Sequence, residues 1–403
     1  MDERFDVVVI GGGGLGLSVA LHLALSGRTV TIVDKGDIGA QTSPRAAGLA
    51  CQVKNDDLQT RLSRESVDLL TSFSAWTGGV ELAVHQAGGV KVARTPEMAD
   101  AIKREMAHGE HIGIPVELIS PAEARDLAPY YEFEDDIAAL TYTPSDLYLD
   151  PRGLVDAYIR ACTLNGVDLR PQTSVVALDQ QRGEIRRVET SNGAIEAQAV
   201  VDTAGAWVDI VANRLGFRVP VVPVRHQLCV TEPVGITNEH AMVRIVECNV
   251  YMRPDRGGLM FGGYEPEPLQ LDMAAMDESF DIRDLQLDFE PLRKLMEEVR
   301  EQVPVLRDTE IRELRGGVPT MTADGNYIID TVPNLENLFV VGGCNVAGLT
   351  CSPAIGQAVA RMVTDGDPGI DLSSTKLERF RGRSSEELRA EAIWRYAARE
   401  QWD

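Results

Sequence analysis

The chain is short of positive charge. Only 39 of its 403 residues are Lys or Arg, against 62 Asp and Glu, a formal net charge of −23. So acidic a chain repels phosphate backbones and anionic headgroups, which argues against nucleic acid and anionic membrane as partners but leaves room for a local basic pocket. Its six cysteines, Cys51, Cys162, Cys229, Cys248, Cys344 and Cys351, form no C-x-x-C pair, so no zinc or iron–sulfur framework is signalled. The leader Met1-Asp2-Glu3-Arg4 lacks the basic start of a signal peptide. Reduced thiols in a cytoplasmic protein without membrane insertion are therefore expected. The apolar run Val7–Leu25 is long enough to span a bilayer, but four adjacent glycines interrupt it and His22 sits inside it. There is no H-E-x-x-H, no hydrolase triad, no repeat and no low-complexity tract, and no metal site is expected.

What is present is ordinary for a soluble enzyme: 44% apolar and 25% charged residues, with length for two domains or one large one. The organising stretch is Val7-Val8-Val9-Ile10-Gly11-Gly12-Gly13-Gly14-Leu15-Gly16. Phe5–Ile10 reads as a buried strand and Leu17–Ser26 as the helix after it. Gly11, Gly13 and Gly16 stand in G-x-G-x-x-G register, which serves a sharp turn, backbone approach to a pyrophosphate, and close helix–strand packing. The helix start offers N–H groups and a positive dipole end to the phosphates. Arg28–Asp34 reads as a second strand, and its Asp34 lies about 20 residues past the turn, where an acid accepts hydrogen bonds from a ribose. A tight turn in some other α/β protein is the alternative.

Further along, Gly39–Leu49 is small-sided and suits either a chain threaded against a ligand or a surface loop. Helices are predicted over Asp56–Trp76, from Thr95-Pro96, from the capping box Ser120-Pro121-Ala122-Glu123, over Arg152–Asn165, Phe289–Val303 and Ala354–Val363, and over the tail Ser384–Trp402. Short strands are predicted around Val80–Ala93, at Val167–Leu169, Thr173–Leu178, Gly183–Thr190, Ala194–Gln198 and separately at Ala199–Asp202, with Asn192-Gly193 as a hairpin turn. After Pro220 the strands Val221–Thr231, Met242–Met252 and Gly258–Gly263 look antiparallel, hence a second domain. Leu338–Gly343 returns to the first style, and the helix after it aims its start at a ligand, as the negative charge of a reduced flavin requires.

These pieces together resemble the D-amino-acid oxidase-like FAD-dependent oxidoreductases, most of all their sarcosine and dimethylglycine dehydrogenase group. The likeness runs from Asp6 to about Asp367. It rests on the Gly11 turn, Pro44–Leu49, Val201–Trp207, Pro223–Gln227, Gly258–Glu265, Thr322–Gly325 and Gly343–Pro353. The resemblance implies an α/β fold, α+β overall: a discontinuous Rossmann-like FAD-binding domain over residues 1–80, 147–219 and 325–403, and a largely antiparallel substrate domain over 81–146 and 220–324. Asp34 would bind the adenosine ribose, with Lys35 beside it. Thr42, Ser43, Arg45, Ala46, Ala47, Gly48 and Leu49 would line the pyrophosphate and ring, and Val175 the adenine side. Ala347, Gly348, Leu349 and Thr350 would face the flavin pyrimidine. Gly14 and Leu15 in the turn, Ala204, Gly205 and Trp207, and Gly343 complete the expected contacts.

The expected reaction is hydride transfer to flavin N5 from a C–H beside nitrogen in a secondary or tertiary amine or N-methyl amino acid, after which the imine hydrolyses. Tyr251, Arg253, Tyr264, His226 and Arg45 are the substrate-side candidates. Related dehydrogenases carry a flavin-linked histidine where this chain has Arg45, and monomeric sarcosine oxidases a flavin-linked cysteine where it has Gly317. Non-covalent FAD is therefore expected. Sarcosine oxidases activate O₂ with a lysine on the strand of Met260, so a dehydrogenase or slow oxidase is expected here. Glycine-oxidase-like members hold the substrate carboxylate with an arginine near Pro319, an anchor this chain lacks. Other C–N or C–O substrates, or an accessory FAD subunit, are the competing readings. The electron acceptor and a homo- or hetero-oligomeric state are left open.

Overall fold

A computed structural model describes residues 3–134 and 137–398. Two eight-stranded sheets carry the fold. The first runs in the order Ile328–Thr331, Leu338–Gly342, Gly193–Asp202, Glu3–Ile10, Val30–Val33, Asp168–Arg170, with the antiparallel strands Glu184–Thr190 and Val175–Gln181 branching from Gly193–Asp202. Its centre is parallel: Glu3–Ile10 pairs with both Gly193–Asp202 and Val30–Val33. The helices Gly14–Leu25 and Ser352–Asp365 cover one face, and the strands Val175–Gln181 and Glu184–Thr190 with the short helix Val208–Asn213 cover the other, so Val7, Val8, Val9 and Ile10 are all buried, which is why the strand reads as an unbroken apolar run.

The helix Gly14–Leu25 lies against Ser352–Asp365, and the two touch where both are small. A Cβ on Gly356 would sit 2.2 Å from the Ser18 hydroxyl oxygen. His22, at the far end of that helix, stacks on Trp76 at 4.7 Å, and burial lowers its pKa to about 4, so it packs as a neutral ring. Among the described residues no helix is long and apolar enough to cross a membrane. All six cysteines are unpaired thiols.

The second sheet runs Ile311–Gly317, His226–Thr231, Gly258–Gly263, Val250–Asp255, Met242–Ile245, Gly89–Ala93, Ala139–Thr143, Glu117–Leu118. Every pair is antiparallel except Met242–Ile245 with Gly89–Ala93. The helix Phe289–Glu297 covers it with Leu292, Leu295 and Met296.

Several element boundaries differ from the periodicity reading. Ala194–Gln198 and Ala199–Asp202 are one strand, because its first half closes the Asn192-Gly193 hairpin while the whole length pairs with Glu3–Ile10. Met242–Met252 is two strands around a turn at Asn249, whose φ is +56°. Val221–Thr231 divides into Val222–Pro223 and His226–Thr231. Asp56–Trp76 breaks at Ser72 into Asp57–Thr71 and Phe73–Trp76. Of Val80–Ala93 only Gly89–Ala93 is a strand, and the helix from Phe289 ends at Glu297. The tail helix is Ser385–Ala397, with the capping box of Ser384 and Glu387 in place; its expected end at Trp402 lies outside the described residues. The caps at Thr95 and Ser120 form as their sequences require.

One buried acid makes stability depend on pH. Asp202 ends its strand 1% exposed; Oδ1 accepts from the Ala204 amide at 3.0 Å, while Oδ2 has no partner among the described residues. Burial, partly offset by that amide, raises its pKa to about 8. The folded value lies above the unfolded one, so the stabilisation is complete below the ordinary carboxylate range and is lost as pH rises through about 8. Asp202→Asn keeps the acceptor and is neutral throughout. It is expected to melt a few degrees above the parent at pH 8 and level with it near pH 4, in calorimetric scans across pH.

Candidate active site

The glycine turn is built from contacts that leave no space for side chains. A Cβ on Gly16 would fall 1.9 Å from the Gly11 carbonyl oxygen, and one on Gly11, at φ +96°, would meet Ala204 Cα at 2.8 Å. The Thr203 hydroxyl donates to the carbonyls of Ile10 and Gly11, both at 2.9 Å. Asp34 holds the turn from the next strand, Oδ2 accepting from Gly12 N–H at 2.7 Å and Oδ1 from Gly36 N–H at 2.8 Å. Burial raises its pKa despite these bonds. Gly13 faces the opposite way: its Cβ would meet only Ser43 Oγ, at 3.4 Å, and Gly14 N–H donates to that hydroxyl at 2.9 Å. Nothing lies within 4 Å of a Cβ on Gly205. The turn thus offers bare backbone and a helix start towards the Ser43 loop, which fits a diphosphate.

The flanking candidates divide. Leu15 is half-buried in the turn, and a Cβ on Gly348 would lie 4.0 Å from its Cδ1. Val175 is buried in one cluster with Val33, and Thr173 beside it donates to the Asp34 carbonyl at 2.7 Å. Lys35 turns away: Nζ donates to the Phe280 carbonyl at 2.9 Å and lies 4.2 Å from the centre of the Trp207 ring.

A cavity of about 360 Å³ opens between Ala46–Leu49 on one side and Asn345–Ala347, Leu349 and Thr350 on the other. That size suits a small ligand. Part of its remaining wall is His226, Arg244 and Tyr251 on the second sheet, with Tyr264 just past it. The cavity also meets Lys54, and Lys91, which is ion-paired to Glu105.

Both turns beside the cavity are held from behind. Arg45 Nη1 donates to the carbonyls of Ala40 and Gln41, so the guanidinium braces its own loop while lining the cavity. Arg253 does not line it. Nε donates to the Ala47 carbonyl at 2.8 Å, Nη1 to Pro254 O at 2.7 Å, and Nη2 lies 3.2 Å from Asp255. The structure thus makes Arg253 a support for the Ala46–Leu49 turn, because a fully desolvated arginine is retained where an acid and carbonyls surround it. On the facing side Asn345 and Val346 have φ of +43° and +63°. A β-branched residue at positive φ is strained by about 1–3 kcal/mol. The brace is Asn345, whose Oδ1 accepts from Thr322 N–H at 3.0 Å and whose Nδ2 donates to Gly343 O at 2.7 Å. Gly343 itself has φ +60° and Thr322 packed where a Cβ would go.

The aromatic wall is one hydrogen-bonded cluster. His226 Nε2 is 2.7 Å from the Tyr251 hydroxyl and Nδ1 is 2.7 Å from that of Tyr396 on the tail helix. Tyr264 packs 5.1 Å from the His226 ring and 5.2 Å from Tyr396. Desolvation lowers the His226 pKa to about 4 and raises those of Tyr251 and Tyr264, so all three are uncharged at neutral pH. Arg244 pairs with Tyr251 across neighbouring strands, which puts both side chains on one face. Burial, then the positive charges of Arg244 and Lys91, lowers the Lys54 pKa.

Arg244, Lys54, Asn345 and Tyr396 were not singled out from the sequence. Register with Tyr251 would have marked Arg244; no local pattern marks the others. Met260 is fully buried, packed with Tyr251 and Tyr264 and away from the cavity wall. A Cβ on Gly317 would meet Thr42 Cγ2 at 2.8 Å, so the backbone there has no room for a side chain.

The family described as FAD-dependent oxidoreductase (DAO) matches residues 6–362. Human mitochondrial sarcosine dehydrogenase is 30% identical over 382 residues, covering 93% of this chain and 41% of that protein. Rat mitochondrial dimethylglycine dehydrogenase is 28% identical, covering 94% of this chain and 45% of that protein. The chain thus spans less than half the length of these curated relatives. The crystal structure of L-proline dehydrogenase from P. horikoshii superposes with a TM-score of 0.85 at 25% identity, over 94% of this chain and 98% of that one.

Because Asn345 holds two residues in strained backbone at the cavity edge, Asn345→Ala is expected to weaken FAD binding by roughly tenfold, the scale of two lost buried hydrogen bonds. Flavin fluorescence during titration of the apoprotein measures it.

Proposed function

We propose, for a chain that belongs to the DAO family of FAD-dependent oxidoreductases, that it oxidises the C–N bond of an amino acid carrying a secondary or tertiary amine. The observation that carries this reading is the make-up of the cavity wall: an uncharged aromatic face of His226, Tyr251 and Tyr264 beside the cation Arg244 and the basic side chain of Lys54. An amine and a carboxylate on one carbon need those two surfaces side by side. The relatives named for sarcosine and dimethylglycine support an N-methylated amino acid. We take residues 1–80, 147–219 and 325–403 as the FAD-binding part and 81–146 with 220–324 as the substrate-binding part.

The glycine turn and Ser43 would hold the diphosphate of FAD, and Ala46–Leu49 with Ala347–Thr350 its ring; when bound it would supply a two-electron acceptor for the hydride on the carbon beside nitrogen. The protein's own part is positioning and charge. Arg244 receives the carboxylate, with Lys54 adding to the local positive potential. Arg244, together with desolvation by the tyrosines, disfavours an ammonium and so releases the nitrogen lone pair. That pair closes the C=N bond as the hydride leaves, and water then adds to the carbon to give a carbonyl compound and a shorter amine. An external acceptor takes the two electrons onward.

Arg45 and Gly317 provide neither a nucleophile nor room for one, which supports dissociable FAD. Met260 provides no cation on its strand, which supports slow use of O₂.

Anaerobic mixing with a panel of N-alkyl amino acids is expected to bleach the flavin absorbance, and no bleaching by any member would overturn the proposal. Arg244→Met should raise KM for an amino-acid substrate by roughly 10- to 100-fold, the cost of a charge-assisted bond, while matching amines without a carboxylate keep their KM. Denaturation followed by filtration should release all yellow colour from the polypeptide.

A further inference from the structure

The tail helix reaches into the active site through one hydroxyl. Tyr396 on Ser385–Ala397 is fully buried, its ring meets those of His226 and Tyr264, and His226 in turn meets Tyr251 on Val250–Asp255. The order of contact is Tyr251 hydroxyl to His226 Nε2 at 2.7 Å, His226 Nδ1 to Tyr396 hydroxyl at 2.7 Å, and Tyr396 hydroxyl to the Arg225 carbonyl at 3.4 Å.

The end of this chain favours one direction. A carbonyl can only accept, so Arg225 O gains this donor only when the Tyr396 proton turns to it rather than to His226 Nδ1. The Tyr396 oxygen is then an acceptor for His226, whose neutral ring carries a single N–H. That N–H is on Nδ1, and Nε2 is left to accept the Tyr251 proton. In the opposite tautomer Nε2–H would point at Tyr251, whose own proton would have to find an acceptor in the cavity, and Arg225 O would lose its donor. Burial penalises each such loss.

We propose that Tyr396, through the His226 tautomer it imposes, makes Tyr251 a hydrogen-bond acceptor towards the cavity and so selects a substrate whose reactive, neutral nitrogen still bears an N–H: a secondary amino acid in preference to a tertiary one. The inference rests on the amine-oxidising reading above. A neutral secondary amine donates its N–H to the Tyr251 oxygen and keeps its lone pair for the C=N bond. A neutral tertiary amine has nothing to donate, and leaves that oxygen facing an alkyl group. Tyr396 is a positioning residue, since it acts through His226, and Tyr251 is the group that meets substrate.

The test has two independent arms on the FAD-loaded enzyme. In the first, ¹⁵N-histidine NMR, with His226 assigned by difference from His226→Gln, is expected to show a protonated Nδ1 and an unprotonated Nε2. Tyr396→Phe, which keeps the ring and removes the hydroxyl, should shift His226 towards the other tautomer or a mixture. In the second, kcat/KM is compared for N-methyl and N,N-dimethyl forms of one amino acid. The parent is expected to favour the secondary amine, and both Tyr396→Phe and Tyr251→Phe should reduce that preference by about tenfold, chiefly through KM of the secondary amine. A wild-type His226 protonated on Nε2 overturns the proposal, as does an unchanged preference in Tyr251→Phe, a variant that keeps the argument testable if Tyr396→Phe does not fold. Absence of turnover with every amine would instead defeat the functional reading and leave the tautomer to be read by NMR alone.

Discussion

The fold depends on backbone approaching backbone where the first strand turns into its helix. With the Gly11 carbonyl oxygen 1.9 Å from any Cβ on Gly16, the contact exists only because neither residue has a side chain. It draws the helix start down onto the sheet and leaves Gly13 and Gly14 as bare backbone towards Ser43. Asp34 and Thr203 then lock the turn from the two neighbouring strands, with hydrogen bonds between 2.7 and 2.9 Å. Parallel pairing brings these side chains to one edge of the sheet, the usual place for a ligand in such a fold.

The reacting end is organised differently. There the polypeptide does not offer one motif but gathers single residues from remote segments, each held by a neighbour behind it. Arg253 holds the Ala46–Leu49 turn, Asn345 holds Val346 in a backbone conformation it would not adopt alone, and Tyr396 holds His226. A cavity wall built from short-range braces stays rigid without a metal or disulfide, and rigidity is what orienting a small amine beside a ring requires. Charge follows the same logic. A chain with net charge −23 places Arg244 and Lys54 about one cavity, with Lys91 paired to Glu105 beside them, and the low dielectric there makes local charge count for more than the acidic exterior.

Much of this was legible in the residues. The glycine register, Asp34, the second buried strand ending at Gly342, and the caps at Thr95, Ser120 and Ser384 follow from local chemistry, because each needs only neighbours within a few positions. Places where periodicity misled have a common cause: Gly193–Asp202 and Met242–Asp255 take their ends from partner strands rather than from their own pattern. The structure brings Tyr251, Tyr264, His226 and Arg45 to the cavity and turns Arg253 and Lys35 elsewhere, their charges committed to carbonyls, an acid and an aromatic ring.

The sequence by itself determined the glycine turn at the sheet edge, the alternation of parallel and antiparallel sheets, and the family. These depend on properties a residue carries with it: the missing Cβ of glycine, the apolar run of a strand covered on both faces, the cap a serine can form. Only the tertiary structure decided which cations face the cavity, which brace a loop, and that the tail helix supplies the hydroxyl behind His226. A side chain's direction and its hydrogen-bond partner come from strand register and from segments more than a hundred residues away, and no local pattern encodes them.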